Sequence, residues 1–374
     1  MRTHATEEAP PGLDGVAVAT TGLSMVDGEA GRFVIRGHDA PELAGWATVE
    51  HVWHLLHTGR EPTVAQRDEL SSRIGAAREI PGAVADVLPA VAAASEPGDL
   101  AALRTAVSLT GQALGCRSWI EQSADDTDEQ CFRLAALMPV LAANLYRLAR
   151  GEEPVGPDPA LGVAANYLAM TEGSAPDPER VRALETYMVL ASDHGFCNST
   201  FTARVVASSG ADVAAAISAA IGAFSGPLHG GAIGRVPSML DTIGEPSNAE
   251  AFVREMLDRG ERLPGFGHPV YKTVDPRARL LRGLAERFGG PRIELAEAVE
   301  EAAVRVINER KPGKRRESNV DFYAGVVLEQ AGVPEAMFLS TFTAARVVGW
   351  TAHIAEQIAA NRIFRPAARY VGGA

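Results

Sequence analysis

Cysteine is scarce in this chain: Cys116, Cys131 and Cys197 are the only three, scattered and without CxxC spacing. That excludes a disulfide scaffold and a cysteine-rich zinc module, and it points to a reducing, cytoplasmic setting. Basic residues are also in deficit, with 35 Lys and Arg against 47 Asp and Glu for a formal charge of -12. Nonspecific attachment to nucleic acid or to an anionic membrane is therefore disfavoured, and no such partner is expected. No apolar run reaches the roughly 18 to 20 uncharged residues of a membrane helix, since the Ala-rich stretch 213–224 is shorter and weakly hydrophobic. A soluble protein is expected. Residues 1–11 carry Glu7, Glu8, Pro10 and Pro11. They lack the apolar core of a secretory signal and the Arg-rich, acid-poor character of a transit peptide, and are expected to form a loose tail.

Strand signals are few as well. Residues 16–20 and 32–36 suit short strands, with Asp27 and Gly28 as a hairpin-type turn. Neither βαβ alternation nor a fixed-period repeat occurs, which excludes a Rossmann architecture and a solenoid. What is present is helix. Leu134, Leu137, Met138, Leu141, Leu145 and Leu148 recur at steps of three and four, and Gly151 stands where a left-handed cap ends such a helix. Pro291 and Pro334 open similar patterns. With 374 residues, 46% of them apolar, the chain has enough core for two lobes. Glycine and proline collect at 225–234, 263–269 and 309–318, and these breaks hold most of the conspicuous polar residues. The interval 226–333 is expected to form a smaller domain, with 12–225 and 334–374 forming a larger helical one.

The polar residues in those breaks suggest chemistry. In Gly226-Pro227-Leu228-His229-Gly230-Gly231-Ala232 the glycines let backbone approach a ligand and leave the imidazole unobstructed. Taken alone, the segment equally fits a helix connection with an exposed histidine. Gly265-Phe266-Gly267-His268 precedes Asp275-Pro276-Arg277, where Asp275 is an N-cap and Pro276 the first helical residue. By itself this is a capped helix with a solvated arginine. Asn319-Val320-Asp321-Phe322-Tyr323 sets a carboxylate among apolar neighbours, an environment that disfavours its charge and suits a general base; an N-cap aspartate is the plainer reading. His51, His54 and His57 do not form a metal site, because steps of three spread them over roughly 120° of a helix.

Together these segments, in this order, resemble the signature segments of the citrate synthase family. The similarity extends to Ser199-Thr200-Phe201-Thr202-Ala203-Arg204, to Gly349-Trp350 with His353, Glu356 and Gln357, and to Arg362-Ile363-Phe364-Arg365-Pro366 with Tyr370. It implies a mainly α, two-domain helical fold, assembled as a homodimer, in which the smaller domain closes over acetyl-CoA and oxaloacetate. No permanently bound cofactor is implied; acetyl-CoA and CoA are substrate and product. By position, Asp321 would remove the methyl proton, His229 would hydrogen-bond the thioester oxygen, and His268 would polarise the oxaloacetate carbonyl and protonate it. His194, Arg277, Arg346 and Arg365 would hold the dicarboxylate, with Arg365 reaching from the partner subunit. Arg262, Leu263, Pro264, Gly265 and Phe266 match the segment that contacts CoA, and Lys311, Lys314, Arg315 and Arg316 suit its phosphates or a solvated loop.

Departures accompany the resemblance. Cys197 replaces an asparagine usual in bacterial members, Pro269 follows the second histidine, and Glu317-Ser318 replaces a tyrosine-proline. They bear on the identity of the keto acid and acyl-CoA, where propionyl-CoA or a longer acyl-CoA is the nearest alternative. A noncatalytic binding or regulatory relative is the alternative of another class, and the complete set His229, His268 and Asp321 argues against it.

Overall fold

The computed structural model describes residues 10–230, 233–267, 270–271, 275–310, 317–369 and 371–372. His268, Pro269, Lys311, Lys314, Arg315 and Arg316 lie outside the described residues. Helix dominates, at 64% against 3% strand, as the three-and-four spacing of apolar residues predicts.

The strands form one small antiparallel sheet of β1 (Ser24–Asp27), β2 (Arg32–Ile35) and β3 (His38–Asp39). The expected turn at Asp27-Gly28 is there, and the Asp27 carboxylate accepts from the Glu29 and Ala30 amides at 3.1 and 2.9 Å. The expected first strand at 16–20 is not. Pairing instead starts at Ser24, opposite Ile35, where the Ser24 hydroxyl donates to buried Asp193 and fixes the register.

The helices that position the site are α1 (Val49–Thr58), α2 (Ala124–Ala149), α3 (Pro178–Ala191), α4 (Asn198–Ser208) and α5 (Val213–Phe224). They are followed by α6 (Arg235–Ile243), α7 (Pro276–Phe288), α8 (Pro291–Arg310), α9 (Val320–Gln330) and α10 (Phe338–Ala359). Gly151 adopts φ +73 just past α2, the left-handed cap its position predicted. Pro334 precedes a short 3-10 turn that leads into α10. One segment departs from the expectation about membrane helices: α2 contains an 18-residue window of mean hydropathy 1.2, and 83% of that window is buried inside the protein. Its apolar surface is used by the core, where α2 packs against α5 and α10. The histidine row of α1 divides between different partners, His51 with Glu61 and His57 with Thr351.

Helix α10 runs through the core with Trp350 and Arg346 wholly covered. Its Gly349 approaches so closely that the amide bonds Ser192 O at 3.0 Å, and a Cβ there would lie 2.2 Å from the same oxygen. Behind the site, Asp193 accepts from His353 Nε2 at 3.1 Å, and His353 Nδ1 meets Arg204 at 3.1 Å. Arg204 also binds Glu356 at 2.6 Å. Every charge in this buried row has a partner, the condition under which buried charges are tolerated. The row locks α4 to α10 and fixes the chain entering His194.

Candidate active site

Asp321 sits in the first turn of α9, where its own amide donates to the Asn319 side chain at 2.9 Å. Asn319, not Asp321, is therefore the N-cap, and the Asp321 carboxylate is left to face a small cavity. Asn319 also binds the loop before α7, since its amide donates to Gly265 O at 2.8 Å and its side chain to Gly267 O at 2.7 Å. This seats residues 265–267 on the start of α9. Gly265 holds φ +80, and a Cβ there would fall 2.6 Å from the Phe322 Cβ, so no other residue fits.

Asp275 joins the next pieces. As N-cap of α7 it accepts from Arg277 N at 3.1 Å, from Arg277 Nε at 3.0 Å and Nη2 at 2.9 Å, and from Val320 N at 3.0 Å. One carboxylate thus aligns the Arg277 guanidinium bidentately and anchors the helix that carries Asp321. Arg277 is buried and lines the same cavity as Asp321. Its guanidinium lies over Tyr271, 5.6 Å from the ring centre, and the Tyr271 hydroxyl is 3.2 Å from His194 Nε2. Phe33 of β2 packs edge-on against His194 at 5.1 Å. The hairpin therefore supports the site from the N-terminal end of the chain.

His229 follows a tight turn, with its amide donating to Gly226 O at 3.0 Å. Its Nε2 accepts from Ser199 N at 3.3 Å and lies 2.9 Å from Ser199 Oγ, which in turn accepts from Trp350 Nε1 at 3.2 Å. With Nε2 facing Ser199, Nδ1 is the ring nitrogen left to donate. Gly230 permits this placement, since a Cβ there would lie 2.6 Å from Phe224 O.

Arg346 donates from Nε to Ala191 O at 2.5 Å and from Nη1 to Cys197 Sγ at 3.2 Å. Burial resists ionisation of Cys197, but Arg346, His229 and Ser199 outweigh it and bring its pKa down to about 5. Cys197 is a thiolate at neutral pH. For Asp321, burial raises the pKa and the Asp275 charge adds to it, while Arg277 and His229 pull the other way, leaving it at about 6. Such a carboxylate ionises just below neutrality, which is where a general base works best. The base, an imidazole donor and two buried guanidinium groups suit removal of a weakly acidic proton from an anionic or carbonyl substrate.

Not every residue singled out by sequence joins this cluster. Arg365 is exposed, and its Nη1 donates to nearby Pro366 O at 3.3 Å. Its segment runs along α4, where Phe364 N donates to Ser208 Oγ at 3.1 Å and the Phe364 ring packs edge-on against Phe201 at 5.4 Å. In the segment 262–266, Arg262 is exposed, Leu263 is buried in the core, Gly265 is buried, and Pro264 and Phe266 are half-buried. Sequence reasoning missed Tyr187, Tyr271, Phe33 and the supporting role of Ser199. Each sits in an otherwise ordinary amphipathic or polar stretch, and only tertiary packing brings it to the site.

The whole arrangement has known counterparts. The family model for the citrate synthase C-terminal domain matches residues 12–367. The chain is 41% identical to the putative citrate synthase 2 of Mycobacterium tuberculosis strain H37Rv, covering 98% of this chain and 94% of that one. It is 38% identical to the citrate synthase of Haloferax volcanii, covering 98% and 96%, and 36% identical to the 2-methylcitrate synthase of M. tuberculosis strain Erdman, covering 96% and 90%. Among solved structures, the citrate synthase of Thermoplasma acidophilum in ternary complex with carboxymethyl coenzyme A and oxaloacetate is similar with a TM-score of 0.87 at 28% identity, covering 99% of this chain and 97% of that one. A match of this length, in sequence and in fold, means that this chain belongs to the citrate synthase family.

Proposed function

We propose that the chain condenses acetyl-CoA with oxaloacetate and hydrolyses the resulting citryl-CoA to citrate and CoA. The observation that carries this reading is the shared cavity of Asp321 and Arg277, held in register by Asp275. Asp321 takes a proton from the acetyl methyl group while the Nδ1–H of His229 donates to the thioester oxygen, so negative charge never develops unsupported. The enol carbon attacks the keto carbon of oxaloacetate, and His268 delivers a proton to the oxygen that becomes the hydroxyl. Water then cleaves the thioester. Arg277, Arg346 and His194 hold the dicarboxylate, and Arg365 completes the site of the partner subunit in a homodimer, in keeping with its exposure on its own chain. Residues 226–333 act as the closing domain, Arg262 and its neighbours to Phe266 meet CoA, and the enzyme works in the cytoplasm.

A second reading, condensation of propionyl-CoA, is favoured by the apolar walls beside Asp321: Leu190, Ala191, Ile233 and Ala324. One methylene is worth about 1–3 kcal/mol in such a pocket, enough to set the preference. Steady-state release of free CoA from acetyl-, propionyl- and butyryl-CoA, each with oxaloacetate, separates the two. Highest kcat/KM with acetyl-CoA is expected; a preference for propionyl-CoA selects the second reading, and no release with any acyl-CoA overturns both.

A further inference from the structure

Tyr187, on α3, is wholly buried, and its hydroxyl has no hydrogen-bond partner among the described residues. Among those residues it is the one such buried polar group on the wall of the cavity that holds Asp321 and Arg277. Its ring is fixed by edge-on packing against Phe342, centroids 6.1 Å apart, and Phe342 lines the cavity too. A buried hydroxyl left unpaired is as costly as a lost hydrogen bond. On a cavity wall the missing partner is a water or a bound ligand.

The surroundings identify that partner. Burial first, and the Asp321 charge second, hold the phenol far above its ordinary pKa, so the group is a donor and not a phenolate. Arg277 lines the same cavity, and Arg346 borders it, donating to Ala191 O at 2.5 Å and lying 4.9 Å from the centre of the Phe342 ring; both also bind protein groups, Arg346 the Cys197 sulfur and Arg277 the Asp275 carboxylate. A donor on the wall of a cavity lined by one guanidinium group and bordered by another faces the place where an anion is drawn. We propose that Tyr187 is a further substrate-contacting residue, whose hydroxyl donates a hydrogen bond to the keto-diacid bound between Arg277 and Arg346. The proposal rests on the reaction given above and adds a ligand that neither motif nor resemblance assigned.

The test is Tyr187→Phe, which keeps the ring and removes the hydroxyl. Calorimetric Kd for oxaloacetate, measured without acyl-CoA, should rise about ten- to a hundredfold, as for loss of a hydrogen bond to a charged group. The melting temperature should hold or increase, because an unpaired buried oxygen has gone. An unchanged oxaloacetate Kd overturns the proposal, and so does a rise confined to the KM for acetyl-CoA, which would assign the hydroxyl to the acyl group. Tyr187→Met carries the same expectation should the Phe protein fail to fold. Wild-type turnover measured alongside keeps the two questions apart: an active wild type with an unaffected variant refutes only the role of Tyr187, whereas a wild type that binds oxaloacetate but releases no CoA refutes the reaction.

Discussion

Asp321 is costly where it stands. Its folded-state pKa is raised from 3.8 to about 6, so the stability linked to its protonated form is full below about pH 3.8 and is lost as the pH rises through about 6. That interval corresponds to about 3 kcal/mol. Asp321→Asn, which has almost the same shape and no charge, should therefore be more stable than wild type at pH 7.5 by up to about 3 kcal/mol, with the gap closing near pH 3.5. Denaturant titrations at the two pH values check this, and equal stability at pH 7.5 would contradict it. The same ionisation governs rate: kcat should fall about tenfold per pH unit below about pH 6. Cys197 supplies a second pH effect. A dicarboxylate arriving at Arg346 displaces the thiolate's favourable partner and adds like charge, which raises the thiol pKa from about 5. Oxaloacetate binding near pH 7 should then take up a proton, visible as buffer-dependent enthalpy in calorimetry. Cys197→Ser should abolish the dependence, and a wild type without it would remove the thiolate from the account.

Two short segments bear on how elements hold these residues. The carboxylate of Asp275 serves α7, Arg277 and α9 at once. Asp275→Ala should lower oxaloacetate affinity and kcat together and cost about 3–5 kcal/mol of stability, since it removes the bidentate carboxylate partner of a buried guanidinium. Thermal unfolding and steady-state kinetics on one preparation measure both, and an effect on only one of them would contradict the shared role. The sequence made the N-cap at Asp275 and the helix after it legible, because an Asp-Pro pair has a local meaning. The bond from Asp275 to Val320 was not legible, because nothing in either segment encodes their approach. The same contrast explains β1: the turn at Asp27 is local chemistry and was found, while the register depends on Ser24 meeting Asp193, 169 residues away. His229, Asp321, Arg277 and Arg346 were found because glycine clusters, caps and family resemblance mark them. Tyr187 carries no such mark within an ordinary amphipathic helix.

At the scale of the whole molecule, an acidic protein of net charge -12 must concentrate cations to hold a dianion. Arg277 and Arg346 are buried in one chain, and Arg365 is exposed. In a dimer that shares sites, mixing Arg365→Ala subunits with Asp321→Asn subunits should restore activity, since one site of each heterodimer regains both residues. Proven subunit exchange without restoration would place Arg365 outside the partner's site. The reaction itself rests on Asp321, and the most direct test sets wild type beside Asp321→Asn with acetyl-CoA and oxaloacetate, measuring free CoA release and oxaloacetate Kd on the same samples. Loss of a general base that acts together with a hydrogen-bond donor should lower kcat at least about a thousandfold, with oxaloacetate Kd unchanged within about threefold because the carboxylate-binding groups are untouched. Near-native turnover by Asp321→Asn would contradict the account.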